Sequence, residues 1–282
     1  MRTVSKIEQM QRIADRLRCQ GKTIGFVPTM GFLHEGHLSL VDIARKRSDV
    51  VVASIFVNPA QFGPGEDLAR YPRDIKRDKR LLSARGCDFL FSPGVHDMYA
   101  KHYRTEVYVQ ELSRRLCGLS RKHHFRGVTT VVSKLFNIVK PHVAVFGQKD
   151  AQQAIIIKRM VEDLNFDVRI IVGKTVRESD GLAMSSRNIY LSQEERKDAV
   201  ILYQALRYAR ARVKDGARDA MKLKDTMRKM IASKKTARLD YIYIVDTDNL
   251  MPMKRLHGEV LIAVACFFGR ARLIDNAIVR VR

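Results

Sequence analysis

The chain has 282 residues, enough for one large domain or two smaller ones, and its 46% hydrophobic and 29% charged content is that of a folded soluble protein, not a disordered one. No apolar run approaches the ~18–20 residues that a membrane-spanning helix requires. A net charge of +22 raises nucleic-acid binding as a hypothesis, because Lys and Arg release counterions from a phosphate backbone.

Taken in chain order, the N-terminal stretch is Arg-rich in the manner of a transit peptide. It also carries Glu8 and Asp15, and Ile7, Met10, Ile13, Ala14 and Leu17 recur at helical spacing, so it reads as a first helix of the fold. Up to about residue 175, short β-branched runs alternate with helical patterns. The runs are residues 23–27, 50–57, 88–91, 143–146 and 168–172, and amphipathic stretches such as 76–84 and 128–139 lie between them. That rhythm predicts an α/β fold, a Rossmann-like parallel sheet flanked by helices.

After Gly173 the rhythm changes. Two basic helical stretches, 193–215 and 217–233, precede three strand-like runs at 240–245, 259–268 and 272–281. We therefore expect a Rossmann-like domain over residues 1–175 and a smaller C-terminal α+β domain over 176–282 that closes over the nucleotide. The excess charge concentrates between residues 207 and 238, where Asp215, Asp219 and Asp225 interrupt it and Leu202, Leu206, Ala209 and Val213 keep helical spacing beneath it. This is the pattern of solvated helix faces. Without aromatic interleaving or a zinc-finger spacing, a general field that attracts anions is the better reading than dedicated nucleic-acid binding. Cys19, Cys87, Cys117 and Cys266 lie far apart with no paired spacing, which fits reduced thiols in a cytoplasmic protein and gives no zinc site.

The segment 28–40, PTMGFLHEGHLSL, carries the strongest chemical signal. Residues 25–27 end a predicted strand, Pro28 is expected to stop ladder pairing, Gly31 and Gly36 permit a tight backbone, and a helix is expected from His37. Such a strand–turn–helix is where open α/β sheets bind nucleotides, because the helix N-terminus offers free N–H groups to an anion. His34 and His37 add two donors there, although two His at this spacing also suit a metal site or a plain surface. Lys149 and Asp150, in the turn FGQKD, can reach a phosphate and ribose hydroxyls, or form an ordinary surface loop. Ser185, Ser186 and Arg187 make either a phosphate clamp or a helix cap. Residues 58–63, NPAQFG, follow the second strand and so reach the same sheet edge as the first turn. The Gly-Pro-Gly flexibility around residues 63–67 makes that loop a candidate lid.

PTMGFLHEGHLSL, SIFVNPAQFG, HFRGV, FGQKD, DGLAMSSRN and LIDN occur in this order over essentially the whole chain, and together they resemble the pantothenate synthetase family of HxGH nucleotidyltransferases. The resemblance implies an ATP-dependent ligase that joins D-pantoate to β-alanine through a pantoyl adenylate, with Mg²⁺ dependence and a homodimer. By motif position it implies that His34 and His37 contact ATP phosphates, with Lys149, Ser185, Ser186 and Arg187 holding phosphates. Met30 would lie beside the nucleotide, Gly147 and Asp150 at the ribose, and Val176 and Met184 at the adenine. Gln61 and Gln153 would hold pantoate, Asn58, Tyr71 and His124 would shape the pantoate/β-alanine end, and Asp78 would contact Mg²⁺ directly or through water. The chain departs from the family pattern at Arg77, where a second acidic residue is common, and at Gln148, Ala151, Cys117 and Lys122. Read from the residues alone, another HxGH nucleotidyltransferase and a basic nucleic-acid-binding protein with an enzyme-like fold stay open.

Overall fold

Runs such as that of residues 50–53 are apolar at consecutive positions, the mark of strands covered on both faces. The computed structural model, described for residues 1–281, places them in a six-stranded parallel sheet. Its elements are β1 (Arg2–Val4), α1 (Ile7–Cys19), β2 (Ile24–Thr29), α2 (Glu35–Arg45), β3 (Val50–Ile55), α3 (Ile75–Ala84) and β4 (Phe89–Phe91). There follow the short α4 (Val95–Met98) and α5 (Cys117–Ser120), then α6 (His124–Val139), β5 (Val143–Gly147), α7 (Ala151–Asp163) and β6 (Arg169–Gly173).

The strand order is β1-β4-β3-β2-β5-β6. From β2 the chain moves to one side through β3, and β5 then adds on the other, so the topological switch lies between β2 and β5. In open α/β sheets the crevice outside the carboxyl ends at such a switch is the usual ligand site. The turns that follow β2, β3 and β5 all leave the sheet at that edge.

Val27, Leu38, Val41, Ala44, Val51, Leu90, Val143 and Val145 form one buried cluster that fastens α2 to the sheet. Pro28 does not end the ladder as expected. Pairing with β3 runs on through Pro28↔Ser54 and Thr29↔Ile55, while pairing with β5 stops at Phe26↔Ala144.

The chain divides into two compact units. The first holds Met1–Arg114, Gly118–Gln148 and Gln152–Lys174, and the second holds Arg115–Cys117, Lys149–Ala151 and the chain from Thr175 onward. In the second, α8 (Gln193–Ala199), α9 (Ile201–Lys214) and α10 (Ala220–Ala232) precede the antiparallel sheet of β7 (Ala237–Asp246), β8 (Gly258–Phe268) and β9 (Ala271–Val281). Leu202, Leu206, Ala209 and Val213 of α9 join Leu223 and Met227 of α10 and Val260, Ile262 and Val264 of β8 in a second buried cluster. The basic side chains of α9 lie on its other side. Arg207, Arg210, Lys214 and Arg218, with Arg280 of β9, line an open cleft of about 760 Å³.

Cys87, Cys117 and Cys266 are buried and Cys19 is exposed, all as free thiols. Burial pushes the Cys87 thiol up to about 11 and the Cys266 thiol up to about 12, so neither is an available nucleophile.

Candidate active site

The turn after β2 is built around its own polar groups. Thr29 Oγ1 donates to the Ser54 carbonyl at 2.8 Å and accepts from Gly31 N at 3.1 Å. Gly31 (φ +83°) and Phe32 (φ +49°) are both left-handed, and a Cβ on Gly31 would lie 2.9 Å from Ile55 Cγ2. The helix then begins earlier than the sequence suggested: α2 starts at Glu35, and His34 is its N-cap.

The two histidines serve each other and the helix. Gly36 N donates to His34 Nδ1 at 3.1 Å, and His34 N donates to His37 Nδ1 at 3.3 Å, a capping box made of imidazoles. Because each Nδ1 accepts, each neutral ring carries its proton on Nε2. The rings sit 4.1 Å apart, centroid to centroid. Two imidazolium ions so close would repel, so in the absence of an anion this geometry suits neutral rings acting as hydrogen-bond donors.

The turn after β3 meets this one through a sulfur. Gln61 Nε2 donates to Met30 Sδ at 2.8 Å, bringing together two of the expected site residues. Asn58 is fixed by four contacts: its amide nitrogen reaches the Gly127 carbonyl (3.0 Å) and Gln61 Oε1 (3.3 Å), and its oxygen accepts from Tyr99 Oη (2.7 Å) and Ala60 N (3.3 Å). The glycine of HFRGV explains itself here, since a Cβ at residue 127 would lie 2.2 Å from the Ala60 carbonyl oxygen. His124 Nδ1 lies 2.9 Å from the Gln61 carbonyl oxygen, and Tyr71 is buried edge-on against Phe62. Gln153 is half-buried in the first turn of α7, and Gly147 closes β5.

Arg121 was not singled out from the sequence. It donates to both Glu66 oxygens (2.7 and 2.6 Å) and to the Gln61 carbonyl (3.2 Å), so the glycine-rich loop is tied down at Glu66.

Apart from Asp78, the remaining expected site residues belong to the second unit. Met184 N donates to the Val176 carbonyl at 3.0 Å, which sets the two residues expected at adenine side by side. Ser185 caps the short 3-10 helix Ser186–Tyr190, Ser186 is buried and Arg187 is half-buried. Lys149 Nζ lies 3.9 Å from Asp150 Oδ1. Lys149 and Ser185 line one small crevice with Asn188 and Asp275.

Three residues that sequence reasoning left without roles hold these in place. Asn276 bonds the Lys149 carbonyl at 2.9 Å, and Asp275 grips Arg177 through two bonds of 2.6 and 2.9 Å. Arg177 in turn donates to the Gly181 carbonyl at 3.0 Å and lies 4.5 Å from the Tyr203 ring. The LIDN motif contained both Asp275 and Asn276, so the signal was present without a geometry to interpret it.

Asp78, the residue expected to contact Mg²⁺, is turned to the backbone of the turn after β2. Its side chain is 1% exposed, and its Oδ2 and Oδ1 accept from Phe32 N and Leu33 N, both at 2.8 Å. Burial raises its pKa even though the two N–H donors favour the carboxylate. Among the described residues no three His, Cys, Asp or Glu side chains gather as they would around a metal ion. A carboxylate enclosed in this way does not fit a resident Mg²⁺, which keeps several of its waters.

A family model described as pantoate-beta-alanine ligase matches residues 2–278. The chain belongs to this family. It is 52% identical over 282 residues to the pantothenate synthetase of Caldicellulosiruptor bescii, with 100% of both chains covered. It is 55% identical over 278 residues to that of Thermotoga neapolitana, with 99% of both covered. The crystal structure of pantothenate synthetase from Thermus thermophilus superposes with a TM-score of 0.93 at 46% identity, covering 98% of this chain and 99% of that one. The pantoate-beta-alanine ligase of Francisella tularensis, solved in complex with beta-gamma ATP and beta-alanine, gives 0.81 at 34% identity, covering 99% and 97%. The resemblance read from the motifs and the parallel-sheet fold class with its small C-terminal sheet are borne out. Among the described residues, no helix of this pantoate-beta-alanine ligase family member is long and apolar enough to cross a membrane.

Proposed function

We propose that this chain condenses D-pantoate with β-alanine at the expense of ATP, releasing pantothenate, AMP and diphosphate. The observation that carries this reading is the 2.8 Å contact of Gln61 with Met30. It sets an amide suited to a small hydroxy acid against the turn whose helix end and paired histidines suit a triphosphate.

The reaction runs in two steps. A pantoate carboxylate oxygen attacks the α-phosphorus, the bond to the bridging oxygen breaks, and diphosphate leaves with the electron pair. The Nε2–H groups of His34 and His37 and the positive end of the α2 dipole oppose the negative charge that builds as it leaves. Lys149, Ser185, Ser186 and Arg187 hold the phosphates, Gly147 and Asp150 the ribose, and Val176 and Met184 border the adenine. Gln61 and Gln153 hold pantoate, with Asn58, Tyr71 and His124 shaping that end. The neutral amine of β-alanine then attacks the acyl carbonyl, AMP leaves, and the surplus proton passes to solvent. Neither step needs a strong base from the protein, so positioning and charge stabilisation supply most of the rate.

ATP enters as its Mg²⁺ complex, the ion travelling with the substrate. The protein works in the cytoplasm as a homodimer. Family membership supports the dimer, and four unpaired cysteines suit a reducing compartment.

The test uses the purified full-length chain with Mg²⁺-ATP and labelled diphosphate. Exchange of label into ATP should require pantoate, and AMP release should require β-alanine as well. Folded protein that shows neither activity would overturn the reading. Exchange driven by a different acid would move the chain to another member of the nucleotidyltransferase superfamily.

A further inference from the structure

We propose that Arg77 and Asp78 are a positioning pair that clamps the main chain of the turn between Met30 and His34, and that Asp78 acts on this backbone instead of on a metal ion. The two residues sit in the first turn of α3, whose N-cap Asp74 accepts from Arg77 N at 2.9 Å. Asp78 takes the successive amides of Phe32 and Leu33, one on each oxygen, at 2.8 Å. Arg77 Nη1 donates to the Leu33 carbonyl at 2.9 Å, and its guanidinium lies 5.3 Å from the centre of the Phe32 ring. One residue of the pair thus holds amide hydrogens and the other a carbonyl of the same short turn.

The turn requires such a hold. Phe32 is a bulky residue at positive φ, a conformation that persists only where the surroundings over-determine it. Successive N–H groups in a turn of this kind form a concavity that ordinarily captures an anion. Here the chain fills that concavity itself with Asp78, which leaves the adjoining His34 N-cap and His37 to meet the substrate. Arg77 adds a grip on the carbonyl side, so at this position the chain holds its turn and offers no second carboxylate to a cation.

The inference rests on the ligase reading only for its kinetic arm. In the full-length protein, Asp78→Asn and Arg77→Gln are compared with wild type by amide hydrogen exchange of residues 28–40 without substrates. Pantoate-dependent exchange is then measured across a Mg²⁺ titration at fixed ATP. Protection at Phe32 and Leu33 should fall at least about tenfold in Asp78→Asn. The turnover rate should fall about tenfold or more, and half-saturating Mg²⁺ should stay within about twofold of wild type. Arg77→Lys, which keeps a donor but loses the planar face, should lie between Arg77→Gln and wild type.

A Mg²⁺ requirement raised about tenfold with amide protection unchanged would overturn the clamp and restore a metal role. If Asp78→Asn does not fold, Arg77→Gln decides by the same amides, and unchanged protection there overturns the proposal. Loss of protection in a protein whose wild type lacks exchange activity would sustain the clamp and remove the ligase reading.

Discussion

The side-chain amide of Asn276 donates to the main-chain carbonyl of Lys149 at 2.9 Å, joining β9 to a residue expected to hold phosphate. The contact fixes where the lysine leaves the backbone and leaves its ammonium uncommitted by that bond. Asn276→Ala should lower kcat/KM for ATP about 5–10-fold, the equivalent of one lost hydrogen bond of about 1 kcal/mol. The KM for pantoate should be unchanged. Steady-state kinetics with each substrate varied in turn would check it, and equal effects on both substrates would speak against the assignment.

His37 is expected to act by donating from Nε2 while its Nδ1 is occupied by His34 N. His37→Ala removes one donor from the developing charge and should slow pantoate-dependent exchange about 10²–10³-fold with ATP binding affected far less. His37→Gln restores a donor near that position and should recover part of the loss. Near-wild-type exchange in the alanine variant would remove His37 from the mechanism.

Gly127 faces main-chain atoms that have no rotamer to escape into. A Cβ there would meet the Ala60 carbonyl at 2.2 Å and Gln61 N at 2.6 Å, so α6 would have to withdraw from the 58–61 turn. Gly127→Ala should cost about 1–3 kcal/mol of stability despite the better helix propensity of alanine. It should also raise the pantoate KM by disturbing Asn58 and Gln61. Urea unfolding read beside pantoate kinetics would check both effects.

His142 gives a pH dependence whose sign can be worked out. Its Nδ1 accepts from Ile24 N at 2.9 Å, and burial lowers its pKa from the ordinary histidine range. The folded state therefore holds the ring neutral, whereas the unfolded chain protonates it as pH falls below about 6.5. The stabilisation is complete above that pH and is lost as pH falls towards the lower folded-state value. His142→Gln keeps an acceptor without a titrating proton, so its melting temperature should fall less than wild type between about pH 8 and about pH 5.5. Parallel curves for the two proteins would count against the assignment.

Much of the sheet was legible because parallel strands buried on both faces read as near-continuous apolar runs, as β3 and β5 do. β1 was not, because three residues with only Val4 buried carry no periodic signal. The single helical stretch expected over 193–215 proved to be α8 and α9, divided at Val200. An apolar residue at the division kept the helical pattern going. The site divides along the same line. Side chains that would face substrate, such as His34, Gln61 and Ser185, stood in short motifs. Asp78 and Asn276 also stood in quoted segments, but nothing local showed that they hold a backbone, because Asp78 lies 46 positions from Phe32 and Asn276 lies 127 from Lys149. Only the folded chain brings those partners together, and no local spacing records them.

The bonds from Asp78 to Phe32 and Leu33 also bear on how portable the PTMGFLHEGH string is. Grafted into another α/β scaffold without α3, those ten residues would carry the histidines but not the carboxylate that holds Phe32 in its left-handed conformation. A designer borrowing this loop would have to import a second, distant helix with it, and a motif search that scores the string alone would overrate scaffolds that lack one.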